Sequence, residues 1–290
     1  AQCERGIQSV LASKYDIQFF YMDTKRIPKS EFVKKADAAW RKYQTVRPDL
    51  VMIGDDNALR LLGSKLSKIP IPVVYFGINN NPRNYFDELP INIVGVLERT
   101  PIIPWVRYLT KILPNTEKAL ILMDFSYTSE SIISVVFQGR KSVRIGGLWA
   151  EYKTARNRKE WESSVRNTKK NGYDLLILPT FHAIKDETCA AVNIDDIIKW
   201  TSINSSVPIF SNQDYTVHSK GVVGAYAIHG EAHGKLAAEI ALEILNTKII
   251  SDGLVKRRTD QESRFYFNQK QLDRFGIMLP EEIRQQAVFQ

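Results

Sequence analysis

Cysteine is nearly absent from this chain. Cys3 and Cys189 are the only two in 290 residues, and neither belongs to a CxxC pair. That excludes a disulfide framework and a cysteine-ligated zinc site, and both are expected to be plain packing residues. Histidine is scarce as well, limited to His182, His218, His229 and His233. His229 and His233 are four apart, as zinc ligands on one helix face can be, but Glu231 is one place off the HExxH pattern. They are expected at the start of a helix, not on a metal. No apolar run nears the ~20 residues that cross a bilayer. A GxxxxGK[ST] phosphate loop, a GxGxxG after a strand and a GxSxG elbow are all missing, so the sequence lacks the usual signatures of nucleotide binding and serine hydrolysis.

What remains is an ordinary globular composition, 44% hydrophobic and 25% charged, long enough for one large or two medium domains. The net charge is +8 and the pI about 9.3. Its basic residues are dispersed, with short clusters at Lys153–Lys159, Lys169-Lys170 and Lys256–Arg258. No cluster is interleaved with aromatics, so the expectation is a solvated basic face and no nucleic-acid partner.

One strand-and-loop unit occurs twice. Arg47–Ala58 and Gly172–Ala183 each place an acidic residue before an apolar run that ends in polar, turn-forming residues. Such runs suit parallel strands buried on both faces. The surrounding order repeats too: Glu4-x-x-Ile7-x-x-Val10 parallels Glu130-x-x-Ile133-x-x-Val136, and Ile17–Met22 parallels Val143–Leu148, both read as strands. The regular alternation predicts an α/β fold with two doubly wound parallel-sheet lobes and a ligand cleft between them. The halves differ at one point. Ala119–Met123 reads as a strand ahead of the second half's first helix, whereas the first half begins directly at its helix. A complete first lobe is therefore expected to need a strand of roughly 5–8 residues upstream of Ala1.

In open α/β sheets ligands bind beyond the carboxyl ends of strands. In the first half that rule selects Asp55, Asp56, Asn57, Gly77, Asn79 and Asn80. Asp55-Asp56 is also a natural helix cap, and the two roles are compatible. In the second half it selects the loop Asp124-Phe125-Ser126-Tyr127-Thr128-Ser129, then Trp149, Thr180, Phe181 and His182, and the loop Asn212-Gln213-Asp214-Tyr215; the candidates drawn from the two loops are Ser126, Tyr127, Thr128, Ser129, Asn212, Gln213 and Asp214, with Tyr226 added from the segment Gly221–Tyr226. The Ser126–Ser129 helix start is expected to favour a carboxylate, and Asp55 or Asp56 an amine. Replacing Asp56 and Ser129 together by alanine is expected to weaken binding while leaving thermal stability nearly intact. No catalytic residue, metal or cofactor is expected.

Several segments carry a family resemblance. They are Ile71–Asn80, Ile93–Leu97, Leu113–Leu122, Val207–Asp214, Gly221–Tyr226, Gly234–Asn246, and Phe267-Asn268 with Phe275–Ile277. Together they make the chain similar to ABC-transporter substrate-binding proteins of the type I periplasmic binding protein fold, in the branch with tryptophan/tyrosine-type binders. Tyr21–Arg26 and Gly54–Arg60 resemble the branch fused to membrane sensor proteins. The resemblance implies a non-enzymatic protein, periplasmic or otherwise extracytoplasmic, free or membrane-anchored. Its lobes would close over a small-molecule ligand, an amino acid or an aromatic/carboxylate metabolite, for an ABC transporter permease. The alternative partner is a membrane histidine kinase or diguanylate cyclase, with this chain as its sensing domain. The resemblance also implies lobe 1 over 1–115 plus 223–250 and lobe 2 over 116–222 plus 251–290. A lac-repressor-like effector core and a doubly wound enzyme are the remaining readings, without a helix-turn-helix or a nucleophile to support either.

Overall fold

The computed structural model describes residues 2–25, 27–88, 90–98, 100–250 and 263–290. In chain order its elements are α1 (Gln2–Leu11), α2 (Phe32–Val46), β1 (Val51–Gly54), α3 (Asp56–Leu66), β2 (Val73–Ile78), β3 (Ile93–Leu97), α4 (Ile102–Ile112), β4 (Lys118–Asp124), α5 (Tyr127–Ile132), β5 (Ser142–Ile145), β6 (Leu148–Ala155), α6 (Arg158–Arg166) and β7 (Leu175–Leu178). They continue with α7 (Ile194–Asn204), β8 (Ile209–Ser211), β9 (Gly224–Ile228), α8 (Gly230–Thr247), β10 (Ser263–Phe267), α9 (Gln269–Phe275), α10 (Glu281–Arg284) and β11 (Ala287–Phe289). They form two compact units, Ala1–Arg99 with His229–Glu262 and Thr100–Ile228 with Ser263–Gln290.

Unit 1 carries a parallel sheet in the order β1-β2-β3. Alternate residues of β2 serve opposite faces: Val74 packs with α1 and α8, while Val73 and Tyr75 pack with α2 and α3. Helices α1 and α8 meet almost backbone to backbone. A Cβ on Gly6 would lie 2.0 Å from the Glu231 carbonyl oxygen, and one on Gly234 would lie 2.1 Å from that of Cys3. Ile17–Met22, expected as a strand, is extended but belongs to no sheet among the described residues. Its β-branched and aromatic residues favour extension, yet strand pairing requires a neighbour at the right spacing.

Unit 2 carries an eight-stranded sheet in the order β11-β10-β9-β8-β7-β4-β6-β5. Its middle, β9-β8-β7-β4-β6, is parallel. β4 shows why: Ala119, Ile121 and Met123 point into one core while Leu120 and Leu122 point into the other, and all five are buried. Both flanks are antiparallel, β10 against β9 and β5 against β6. The single strand expected at Val143–Leu148 is thus a hairpin, turned at Gly146 and Gly147, whose φ values of +60° and +99° suit the primed turns that join two strands. It is β6, not β5, that runs parallel to β4.

The unit boundaries differ from those expected. The first passage falls at Arg99/Thr100 rather than 115/116, because Trp105, Val106 and Leu109 of α4 are fully buried in the core around β4. The second falls after Ile228 rather than after 222, because β9 pairs with both β8 and β10. The third expected boundary borders residues 251–262, outside the described residues, as does the basic cluster Lys256–Arg258. Cys189 is exposed in a left-handed conformation (φ +65°), so only Cys3 behaves as a packing residue; burial pushes its thiol up to about 11.

Candidate functional site

In unit 1 the polar residues beyond β1 and β2 form one hydrogen-bonded group. Asp55 caps α3, its carboxylate accepting the Asn57 N–H at 2.9 Å. Its other oxygen pairs with Lys25 Nζ at 3.1 Å, and Asp55 holds that ammonium above its usual range. Asp56 turns the opposite way and is only 4% exposed. Its carboxylate accepts the N–H groups of Asn79 (3.0 Å) and Asn80 (3.1 Å) and the Tyr85 hydroxyl (2.8 Å). Gly77, at φ +65°, donates its N–H to His233 Nε2 at 2.9 Å. His233 therefore lies buried within α8 with Nε2 as an acceptor, not in a loop at the helix start. Asn57 donates to Thr24, but its buried Oδ1 has no partner among the described residues.

Asp56 is consequently a frame for the loop after β2 and not a free ligand group. Burial raises its pKa, against the lowering effect of its three donors. A carboxyl raised in the folded state stabilises that state most below its unfolded pKa, and this contribution fades as pH climbs through the folded value. Asp56→Asn, which keeps an acceptor and removes the charge, should cost about 1 kcal/mol at neutral pH, and Asp56→Ala about 3 kcal/mol. Urea unfolding of both variants checks the difference. Equal losses would contradict the framing role.

In unit 2 the corresponding frame is Asp124, the last residue of β4 and 1% exposed. Its Oδ1 accepts from the Ser126 (2.5 Å) and Ser129 (2.8 Å) hydroxyls, and its Oδ2 from the Ala183 N–H (2.8 Å). Ser129 also bonds the Thr180 hydroxyl at 2.7 Å. One carboxylate thus ties the loop after β4 to the loop after β7. Ser126 additionally caps α5 by accepting the Ser129 N–H. Both serine hydroxyls are turned into this network, so an anion at this helix start would meet backbone N–H groups and not the serine side chains. Because Asp56 and Ser129 are both buried bonding partners, their joint removal is expected to lower stability, contrary to the sequence-based expectation.

The rings divide into buried and exposed. Phe181 is 1% exposed and packs in the core, stacked under His182 at 4.6 Å between centroids. His182 Nε2 bonds the Tyr215 hydroxyl. Burial, then the charge of Asp214, raises the Tyr215 phenol's pKa. Phe125, Tyr127 and Tyr215 are 48%, 38% and 45% exposed, with the Arg156 guanidinium 5.3 Å from the Phe125 ring centre. Asn212 is 8% exposed, and its buried Oδ1 has no partner among the described residues. Gln213 and Asp214 continue from it and are half-buried, as is Thr128 in the first turn of α5.

Two candidates lie elsewhere. Trp149 sits opposite Lys118 in the β4/β6 register, at the amino end of the sheet, six residues from Asp124 along β4 and so ~20 Å away. It lines a separate open hollow of about 520 Å³ with Glu117, Glu151 and Asp174. The hairpin explains the displacement: Trp149 begins a strand and does not follow one. Tyr226 belongs to an aromatic cluster with Tyr108 (5.2 Å) and Phe265 (4.8 Å) and contributes packing. Lys25, Tyr85 and Arg156 are not among the sequence-based candidates. Asp124, Phe125 and Tyr215 lie in the strand-end loops that the sequence marks.

The model of the family described as ABC transporter substrate binding protein matches residues 15–289. The chain belongs to that family. Among solved structures it resembles an ABC domain from Streptococcus pneumoniae in complex with L-Trp, at 20% identity and TM-score 0.72, over 99% of this chain and 94% of that one. A conserved domain protein from Vibrio cholerae follows at 17% identity and TM-score 0.68, covering 99% and 95%. A ligand-free, open substrate-binding protein with adhesive properties from Clostridium difficile gives 16% and 0.67, covering 100% and 94%. At these identities the likeness establishes the fold: two lobes, as in type I periplasmic binding proteins. No curated protein matches the sequence. Among the described residues no helix is long and apolar enough to cross a membrane.

Proposed function

We propose that this substrate-binding protein is extracytoplasmic and non-enzymatic, and that its two units close over an amino acid or a related aromatic metabolite for ABC-type uptake. The observation that carries the reading is the pairing of a rigid frame with exposed rings in unit 2. Asp124 fixes two loops, and those loops and their neighbour hold out Phe125, Tyr127 and Tyr215. Exposed aromatics on pinned loops supply flat apolar contact at small entropic cost. The unpartnered Asn212 and Asn57 oxygens call for an N–H donor, such as an ammonium. The pneumococcal relative's complex with L-Trp is consistent with this ligand class.

A second reading, the sensing domain of a membrane histidine kinase or diguanylate cyclase, draws on one contact. The Lys25–Asp55 ion pair joins the two segments that resemble the sensor branch. Both readings share the ligand, so a thermal-shift screen of amino acids and aromatic carboxylates tests them together. A true ligand present at a hundred times its Kd stabilises the protein by about 2.7 kcal/mol. A rise in melting temperature with an aromatic amino acid is expected; no shift with any amino acid or aromatic acid would overturn the ligand assignment.

A further inference from the structure

Parallel sheets offer their ligand sites beyond the carboxyl ends of the strands. In unit 1 those ends carry Asp55 after β1, Gly77 late in β2 and Glu98 after β3. A methyl group at Gly77 would stand 3.5 Å from Glu98 Oε2 and 3.6 Å from the Asp55 nitrogen, so the two acidic residues adjoin the same point of β2. Asp56 is committed to the loop after β2, which leaves Asp55 and Glu98 as the available carboxylates. Among the described residues the Glu98 carboxylate has no hydrogen-bond or ion-pair partner.

Asp55 holds its place against backbone strain. Its φ of +83° and ψ of 144° belong to a region where only glycine is at ease. Capping α3 does not account for an aspartate there, because glycine caps nearly as well and would relax the backbone. The carboxylate is what the position retains: Oδ1 accepts the Asn57 N–H, and Oδ2 is left for a cation. The cation at that oxygen is Lys25, with Nζ 3.1 Å away. The charge of Asp55 raises the ammonium's pKa, burial opposes it, and Glu98 adds to the rise. The attachment is nevertheless weak. The Lys25 side chain is 58% exposed and its pairing is a single contact, of the kind that contributes little to stability. Lys25 comes from a turn in which Asp23 is left-handed (φ +52°) and Thr24 accepts a long, 3.3 Å bond from Asn57 Nδ2. A four-carbon stem lets the ammonium swing out without moving a strand.

We propose that Lys25 is a built-in competitor: its ammonium occupies the cation position that Asp55 and Glu98 form, and a ligand's ammonium enters by displacing it. The inference rests on the amino-acid reading above and deepens it on unit 1. An α-ammonium carries the same charge as Lys25 on a compact head with three donors, so it can meet Asp55 Oδ2 and Glu98 together, where Lys25 pairs with the first alone. The displaced lysine passes into water that it already largely faces. Occupancy by Lys25 lowers the apparent affinity for every ligand that uses the position. A ligand without a cationic group has nothing to put in the lysine's place, so the competitor also raises selectivity for amines over their deaminated analogues.

The test is calorimetric titration of the parent, Lys25→Met, Lys25→Arg and Asp55→Gly. The probes are L-tryptophan, L-tyrosine and L-phenylalanine, each beside its deaminated analogue, the corresponding 3-arylpropionate. Lys25→Met should bind the amino acids about three to five times more tightly than the parent, and the arylpropionates no more tightly than the parent does. Lys25→Arg, which keeps the cation, should bind like the parent. Asp55→Gly should keep a melting temperature within a few degrees of the parent's, since its backbone relaxes, yet lose at least about tenfold in affinity for the amino acids. Amino-acid affinity unchanged or weakened in Lys25→Met, or an equal gain for the arylpropionates, would overturn the competitor and leave the amino-acid reading standing. Binding of no probe by either the parent or Lys25→Met would remove that reading and this inference with it.

Discussion

Gly234→Ala lowers the melting temperature of unit 1 by about 6–12 °C, corresponding to ~3 kcal/mol at 2–4 °C per kcal/mol. In an exposed helix the same change would stabilise by ~1 kcal/mol, since glycine is the weakest helix former after proline. Here the added methyl carbon would lie 2.1 Å from the Cys3 carbonyl oxygen and 2.7 Å from its Cα. No side-chain rotation relieves a collision with backbone, so α1 must move off α8. That movement also disturbs the packing of Ile7 and Leu11 against Ala237, Ala238 and Ala241. Gly6→Ala, facing the Glu231 carbonyl at 2.0 Å, should act alike. Lys235→Ala, one residue along on the exposed face, should stay within ±0.5 kcal/mol. Calorimetry of the three variants checks the ordering. A melting point for Gly234→Ala at or above that of the parent would contradict the α1/α8 packing.

Asp124→Ala has the largest expected effect on unit 2, about 3 kcal/mol. The substitution strips the acceptor from two hydroxyls and the Ala183 N–H, of which the Ser129 hydroxyl is fully buried and the other two donors are half-buried. Asp124→Asn is the sharper test. Its amide oxygen can still accept from Ala183 N–H, and its NH₂ can donate to Ser126 and Ser129 after their hydroxyls rotate. It should recover roughly half of the loss. Both variants also loosen the loops that hold Phe125 and Tyr127. Denaturant unfolding followed by tryptophan fluorescence gives the two stabilities, and an alanine variant as stable as the parent would remove Asp124 from its central position.

The legible parts of the fold were those where one residue's environment is decided by its immediate neighbours in sequence. β4 and β7 were readable because strands buried on both faces need uninterrupted apolar runs. Asp55 was readable as a cap because capping is local. The hairpin at Gly146-Gly147 carried a recognisable turn signal, but the apolar run across it resembled one strand; that error put Trp149 at the wrong end of the sheet. Segment 17–22 had strand propensity, and propensity contains no information about whether a partner is beside it. Which way a strand-end carboxylate points is likewise set by distant chain. Asp56 meets residues more than twenty positions away, and Asp124 reaches Ala183. The sequence therefore located the candidate loops, while their division into buried frame and exposed contact surface required the fold. Phe181 and Tyr215, joined through His182, show the division within a single stack.

Titration calorimetry of L-tryptophan, L-tyrosine and L-phenylalanine into the parent and into a Phe125→Ala/Tyr215→Ala double variant tests the binding role most directly. Both side chains are exposed at no less than 45%, so their removal should leave the melting temperature within a few degrees. At least one of the three amino acids is expected to bind the parent and to lose about a hundredfold in affinity in the variant, ~2.7 kcal/mol. Equal affinity in parent and double variant would contradict the assignment of these loops as the ligand-binding surface.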